Sequence, residues 1–192
     1  MDWDALVLHP GDTVSAWGRL VRNAEGDWFE GPAPVPLILA PWVRRPMHAV
    51  SVLRASFVDI AERHEYHGDI EGFATVTGTW TGSEIWVRHQ VATAQPDEDP
   101  PMYQDRPPRT LRFHWTRREA QEVRDHLHEH WDDWNIYSMG IIGDHVEARL
   151  TRILPGIAAW AATLPPGILA LDPWLTPAAV ASEATSAART VP

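Results

Sequence analysis

The sequence predicts an α+β protein in which an all-β N-terminal domain precedes a C-terminal domain of mixed helices and strands. Apolar and polar residues alternate through much of residues 11–91, which is typical of strands with one buried face. Residues 110–175 combine such strands with two segments whose apolar residues recur at helical spacing. Between them, residues 94–109 (AQPDEDPPMYQDRPPR) are rich in proline and acids, so we interpret them as an interdomain linker.

The N-terminal domain, residues 1–93, is predicted to contain five strands. The first strand turns at residues 23–26 (NAEG) into a short aromatic strand, and residues 81–83 (TGS) join the last two strands as a hairpin. Prolines enforce an irregular segment over residues 32–46, and residues 61–71 are interpreted as a polar connection. The predicted strands cover residues 12–22, 27–30, 48–60, 72–80 and 84–91, with a further candidate at residues 37–39.

Five strands with a long connection between the third and the fourth resemble an OB-type Greek-key barrel. The resemblance lies in strand order, covers less than half of the chain and rests on no residue motif. It implies a small antiparallel barrel whose exposed strand face could stack single-stranded nucleic acid on aromatic rings beside arginines. A small SH3-like barrel or another β-roll is the alternative.

The C-terminal domain, residues 110–175, is predicted to follow the order β-α-β-β-α-β. Thr116 and Glu119 form a T-x-x-E capping box that opens the first helix, and Pro155 opens the second. The apolar residues of the first strand and first helix are Leu111, Phe113, Trp115, Ala120, Val123, Leu127, Trp131 and Trp134. A hairpin turning at Gly143 follows, and residues 168–171 form the last strand.

This element order resembles a ferredoxin-like split βαβ sandwich, a fold that hosts many unrelated functions and therefore implies no activity. After it, residues 176–192 are rich in Ala, Ser and Thr and have little apolar periodicity. We predict that they form a disordered tail.

Composition argues against several classes of protein. The 192 residues include sixteen arginines but no lysine, and the formal net charge is −10, which disfavours nonspecific binding to nucleic-acid phosphates. Without cysteine there is no disulfide, Cys-ligated zinc or thiol nucleophile. The apolar runs are shorter than the ~20 residues that cross a bilayer, and the N-terminus lacks a secretory signal pattern. We therefore expect a cytoplasmic protein that makes no membrane contact.

The eleven tryptophans are the most informative feature, because strand alternation directs some of them away from the core. In the first strand, Val14, Ala16, Gly18 and Leu20 form the inner row, which leaves Trp17 and Arg19 on the opposite face. Applied to the hairpin, the same alternation adds Phe73, Trp86 and Arg88 to this outer face.

We predict that this face binds a partner. A protein or interdomain interface is favoured over single-stranded nucleic acid because the chain is acidic, and ordinary core with misassigned registers is the third interpretation.

The C-terminal sheet contributes a second candidate surface. Opposite the helices, Tyr137, Met139 and Ile141 are predicted to lie in line as a partly apolar strip that another chain or domain could bury. We therefore add Tyr137 to Trp17 and Trp86 as predicted binding anchors.

Histidines provide the only metal hypotheses. His126 and His130 share one side of the first helix, and Asp133 completes a possible set of ligands, although a solvated or packing role is favoured because no remote ligand can be named. The loop His64–Asp69 (HEYHGD) could hold a cation or supply a general base. A metal-dependent hydrolase would need His64 or His67 to converge with the helix histidines.

The sequence contains no G-x-x-x-x-G-K-[ST], G-x-G-x-x-G, G-x-S-x-G or S-x-x-K motif, so nucleotide hydrolysis, dinucleotide chemistry and serine acyl transfer lose support. We expect a non-catalytic protein-binding module without a cofactor. It would be an assembly component, or an inhibitor or immunity-type protein whose acidic surface meets a basic partner, and a homo-oligomer is also open. The alternatives are single-stranded nucleic-acid binding by the same face and a His/Asp metal-dependent hydrolase.

Overall fold

The computed structural model describes residues 2–31, 48–95 and 115–178, which form a mixed α+β protein with two sheets and two helices. The strands are β1 (Thr13–Asn23), β2 (Gly26–Glu30), β3 (Val50–Leu53), β4 (Ala61–Tyr66), β5 (Asp69–Trp80), β6 (Glu84–Ala92), β7 (Ile136–Ile142), β8 (His145–Arg152) and β9 (Leu169–Leu175). The helices are α1 (Arg117–Glu129) and α2 (Pro155–Thr163), and a short 3₁₀ helix covers Asp4–Leu6. Neither α1 nor α2 is long and apolar enough to cross a membrane.

The first six strands form one sheet in the order β1-β2-β3-β6-β5-β4, and β1 also pairs with β5. The pairings therefore connect β1, β2, β3, β6 and β5 in a ring, with β4 added beside the start of β5. The β3–β6 pair is parallel and the other pairs are antiparallel. The sheet is ring-like, and the finer prediction of an OB-type barrel stays a prediction.

Two strand predictions in this sheet need correction. Residues 61–71 are not a polar connection, because β4 and the start of β5 form a hairpin there. The side chains of β4 are exposed along almost its whole length, so the sequence shows no apolar alternation. The predicted long strand over residues 48–60 is limited to β3, because the chain bends at Arg54, whose φ of +66° is incompatible with an extended strand.

The core of the ring-like sheet includes the predicted inner rows. Val14 and Leu20 of β1, Val76 and Trp80 of β5 and Ile85 of β6 are almost fully buried. For β1, β5 and β6, the side chains that alternation predicted to face the core are thus buried.

Close approach of the strands depends on glycines on the inner side of this sheet. A Cβ at Gly78 would lie 2.5 Å from the Trp86 carbonyl oxygen and 2.7 Å from Ile85 Cγ2. We expect Gly78→Ala to lower the free energy of unfolding by about 1–3 kcal/mol in urea denaturation. Gly140→Ala is the matched control, because nothing lies within 4 Å of that Cβ position, and we expect a change within about 0.5 kcal/mol. Equal losses in the two variants would contradict this packing.

The second sheet has the order β7-β8-β9, covered by α1 and α2. The predicted capping box is present at the start of α1, where Thr116 accepts a hydrogen bond from the Glu119 amide and Glu119 accepts one from the Thr116 amide. Hydrogen bonds from Thr116 also lower the pKa of Glu119. Apolar side chains from both helices meet the sheet in one core, which includes Ala120, Val123, Leu127, Ile157, Ala158, Val146 and Leu150.

The ferredoxin-like arrangement is not confirmed. In a split βαβ unit another strand lies between the two parallel strands, whereas β8 and β9 are direct parallel neighbours across α2. The predicted first strand of this unit lies largely outside the described residues, as do the candidate strand at residues 37–39, most of the linker and most of the tail.

Each of the two cores contains a residue from a segment that leads into, or belongs to, the other sheet. Val7, which precedes β1, packs in the core of the second sheet and bridges Ile153. Leu175 of β9 packs in the core of the ring-like sheet, and Trp174 contacts Phe29 with ring centroids 4.8 Å apart. The two units are therefore joined by packed contacts, while the predicted domain boundaries at residues 93 and 110 stay predictions.

Candidate functional site

Five of the six predicted binding residues lie on the outer side of the ring-like sheet. We call this surface the outer face and define it by the outward-directed residues of β1, β5 and β6. It contains Trp17, Arg19, Phe73, Trp86 and Arg88, which are half-buried except for the exposed Arg88. The structure divides these residues into two groups.

The first group surrounds Trp17. Its ring stacks on Phe73 with centroids 5.4 Å apart and an interplanar angle of 5°. The indole Nε1 donates a hydrogen bond to the Thr93 carbonyl oxygen at 3.2 Å. Trp17 thus has a satisfied polar atom and a fixed ring orientation, which suits a rigid contact residue.

Arg19 lies next to this stacked pair and is held by two carboxylates. Its Nε donates to Glu30 Oε2 at 3.0 Å, and its Nη1 donates to Glu71 Oε2 at 3.2 Å. Glu30 is only 8% exposed, and burial raises its pKa although Arg19 opposes the shift. With two acids around this guanidinium, Arg19 has no spare positive charge for a phosphate.

The second group surrounds Trp86. The Arg88 guanidinium lies 5.7 Å from the Trp86 ring centroid, and that of Arg54 lies 4.5 Å from it. Both distances are within the range of a cation–π interaction. Trp86 Nε1 is buried and has no hydrogen-bond partner among the described residues.

A row of hydroxyl groups separates the two groups. Trp17 pairs with Thr75 and Trp86 pairs with Thr79, so the groups lie four positions apart along β5, or about 13 Å. Within this row, Ser15 Oγ lies 2.9 Å from Thr77 Oγ1, and Thr75 Oγ1 lies 3.1 Å from Thr93 Oγ1. The outer face therefore has an aromatic and arginine contact at each end and a polar middle.

Tyr137 does not belong to this face. Its ring lies against His48, with centroids 5.9 Å apart, and the His48 carbonyl oxygen accepts a hydrogen bond from Thr151 Oγ1 at 3.0 Å. Burial lowers the pKa of His48. Tyr137 thus lies at the junction of the two sheets, where a contact within the chain covers part of its ring.

The helix histidines lie in an aromatic cluster. His126 and His130 have ring centroids 4.8 Å apart, His130 stacks on Trp134 at 4.5 Å, and His126 packs on Trp160 at 4.5 Å. Asp133 Oδ2 is 3.7 Å from His130 Nδ1. Over residues 2–31, 48–95 and 115–178, no group of three or more His, Cys, Asp or Glu is placed to hold a metal ion. His64 and His67 lie on the β4–β5 hairpin of the other sheet.

Sequence reasoning missed Arg54, Glu30 and Glu71 as neighbours of the outer face. Arg54 reaches Trp86 because β3 pairs in parallel with β6. Such long-range pairing cannot be predicted from a local sequence pattern. Glu30 and Glu71 reach Arg19 from the two strands that flank β1. The sequence shows that these residues have charges opposite to that of Arg19. It does not show that they lie close to Arg19, because that depends on the order of the strands in the ring.

The described residues thus define a mixed α+β protein with a ring-like six-stranded sheet, a small three-stranded sheet and an outer face with aromatic and arginine side chains at two ends. The sequence matches no family model, no curated protein and no solved structure.

Proposed function

We propose that the protein is a non-catalytic protein-binding module that contacts its partner through the outer face. The observation that carries this proposal is the presence of two half-exposed tryptophans, Trp17 and Trp86, on one side of a packed sheet. Tryptophan and arginine are enriched among the residues that dominate binding energy in protein interfaces. In this role the chain serves as an assembly component or as an inhibitor or immunity-type protein, and its partner can be a second copy.

We further propose that the ring-like sheet is a small barrel of the OB type. Five strands connected in a ring, with side chains alternating between core and surface, support this interpretation. The hairpin made by β4 is an addition to those five strands. A rigid barrel would hold both tryptophans in fixed positions and so reduce the entropy lost on binding.

A protein partner is favoured over single-stranded nucleic acid by the charges around Trp17. Arg19 is already neutralised by Glu30 and Glu71, and the whole chain has a net charge of −10. Binding to a phosphate backbone depends on cations that are free to replace counterions, and Arg19, the arginine described at this end of the face, is already paired. Interfaces between proteins tolerate such internally paired charges at their rims.

Site-specific photo-crosslinking tests the proposed function. A photoreactive amino acid at Thr77, in the middle of the outer face, should give adducts with a protein in an extract of the source cells, identified by mass spectrometry. Val58, which is 83% exposed and lies outside this face, provides the matched control position. We expect adducts from position 77 and few from position 58. Equal adducts at both positions, or none at either, would reject the outer face as the binding surface.

A further inference from the structure

Two arginines for which the described residues provide no carboxylate partner meet at one tryptophan of the outer face. Arg54 and Arg88 both lie near the Trp86 ring, and neither forms an ion pair within the described part of the chain. Most other described arginines are paired with an acid, namely Arg19, Arg22, Arg63, Arg118, Arg124 and Arg149. In a chain of net charge −10, two cations that have no ion pair among the described residues make a local positive patch at this ring.

An exposed aliphatic side chain lies beside these two arginines. Leu53 pairs with Trp86 across the parallel β3–β6 ladder and is 38% exposed. Arg54 follows at the bend after β3, where its positive φ directs the backbone out of the strand. We call Leu53, Arg54, Trp86 and Arg88 the Trp86 patch. It combines an apolar surface with two guanidinium groups on the neighbouring strands β3 and β6 and the bend that follows β3.

We propose, resting on the proposed function, that the Trp86 patch binds an acidic segment of a partner protein in which carboxylates alternate with apolar side chains. Guanidinium groups bind carboxylates through paired, charge-assisted hydrogen bonds, which gives both strength and geometric specificity. Apolar side chains of the segment would cover Leu53 and the Trp86 ring. The sequence suggested a basic partner from net charge, but the charges at this patch favour an acidic one.

Phosphate groups of nucleic acid could meet the same two guanidinium groups. A long polyanion, however, would also approach the acidic remainder of the surface, where repulsion is unfavourable. A short acidic segment needs complementarity only at the patch. We favour a protein segment because its charged region can be as short as the patch, whereas a nucleic acid is charged along its whole length.

The test measures fluorescence anisotropy of labelled probes with the full chain. The probes are a short peptide alternating glutamate and leucine, the same peptide with glutamine in place of glutamate, and an oligothymidine of similar length. We expect the glutamate peptide to bind at least about tenfold more tightly than the glutamine peptide, a difference of about 1.4 kcal/mol. The double variant Arg54→Gln and Arg88→Gln should remove this preference.

Arg117→Gln is the matched control, because Arg117 is exposed at the start of α1 and far from the patch in the chain. It should leave the preference for the glutamate peptide unchanged, and circular dichroism should show that all variants retain the fold. Equal binding of the two peptides, or tighter binding of oligothymidine through the same arginines, would overturn the inference. If photo-crosslinks at position 77 persist in that case, the proposed function stands and only the acidic partner is wrong.

Discussion

Arg19→Ala is expected to destabilise the protein strongly near pH 7, by about 3 kcal/mol in urea denaturation. Arg19 is the cation that compensates the buried carboxylate of Glu30, and removing one partner of a buried pair leaves the other charge without compensation. Arg22→Ala is the matched control in the same strand. Its ion pair with Asp27 is more exposed than that of Arg19 with Glu30, so we expect a smaller loss, of about 1 kcal/mol.

The loss in Arg19→Ala should depend on pH in a defined direction. Burial raises the folded-state pKa of Glu30 above the ordinary value of 4.5, so its contribution to stability is present at low pH and is lost as pH rises through the folded pKa. Arg19 lowers this pKa, and its removal should raise it further. The deficit of the variant should therefore be small near pH 4 and should grow toward pH 7.

Adding Glu30→Gln to Arg19→Ala should remove most of this pH dependence, because the uncompensated charge is then absent. A deficit that stays constant between pH 4 and pH 7 would show that Arg19 stabilises the protein by packing alone. Equal losses for Arg19→Ala and Arg22→Ala would contradict the difference in burial between the two pairs.

Much of the outer face could be predicted from the sequence because strand alternation is a local property. Alternation in β1 separates Val14 and Leu20, which are buried, from Trp17 and Arg19, which face outward. The same logic placed Trp86 opposite Ile85. Each of these predictions required only a period of two and enough apolar residues to mark the inner side.

Long-range pairing explains most of what the sequence did not reveal. Tyr137 alternates like a surface residue, yet its ring meets His48, which lies far away in the chain. The parallel pairing of β8 with β9 likewise depends on how α2 crosses the sheet. Strand β4 was missed for a different reason, since a strand that is exposed along almost its whole length has no apolar side to detect.

The helix histidines illustrate a limit of spacing arguments. The i, i+4 spacing correctly placed His126 and His130 side by side, with rings 4.8 Å apart. Spacing within one helix does not show what approaches from elsewhere, and Trp160 of α2 packs against His126. The favoured packing role agrees with this aromatic environment.

Trp17→Ala and Trp86→Ala are each expected to weaken binding of the partner identified by photo-crosslinking by about 2–4 kcal/mol, roughly 30- to 1,000-fold. Trp17 should act through its stacking on Phe73, and Trp86 through its ring, which has two guanidinium groups nearby. Trp160→Ala is the matched control. It removes a half-buried tryptophan from α2, away from the ring-like sheet, where its ring packs on His126.

The central claim is that the outer face binds the partner, and calorimetric titration of that partner into the wild-type chain and these three variants tests it most directly. Urea denaturation of each variant confirms that the fold persists at the titration temperature. We predict large losses of affinity for Trp17→Ala and Trp86→Ala and wild-type affinity for Trp160→Ala. Wild-type affinity in both outer-face variants, with their folds intact, would contradict it.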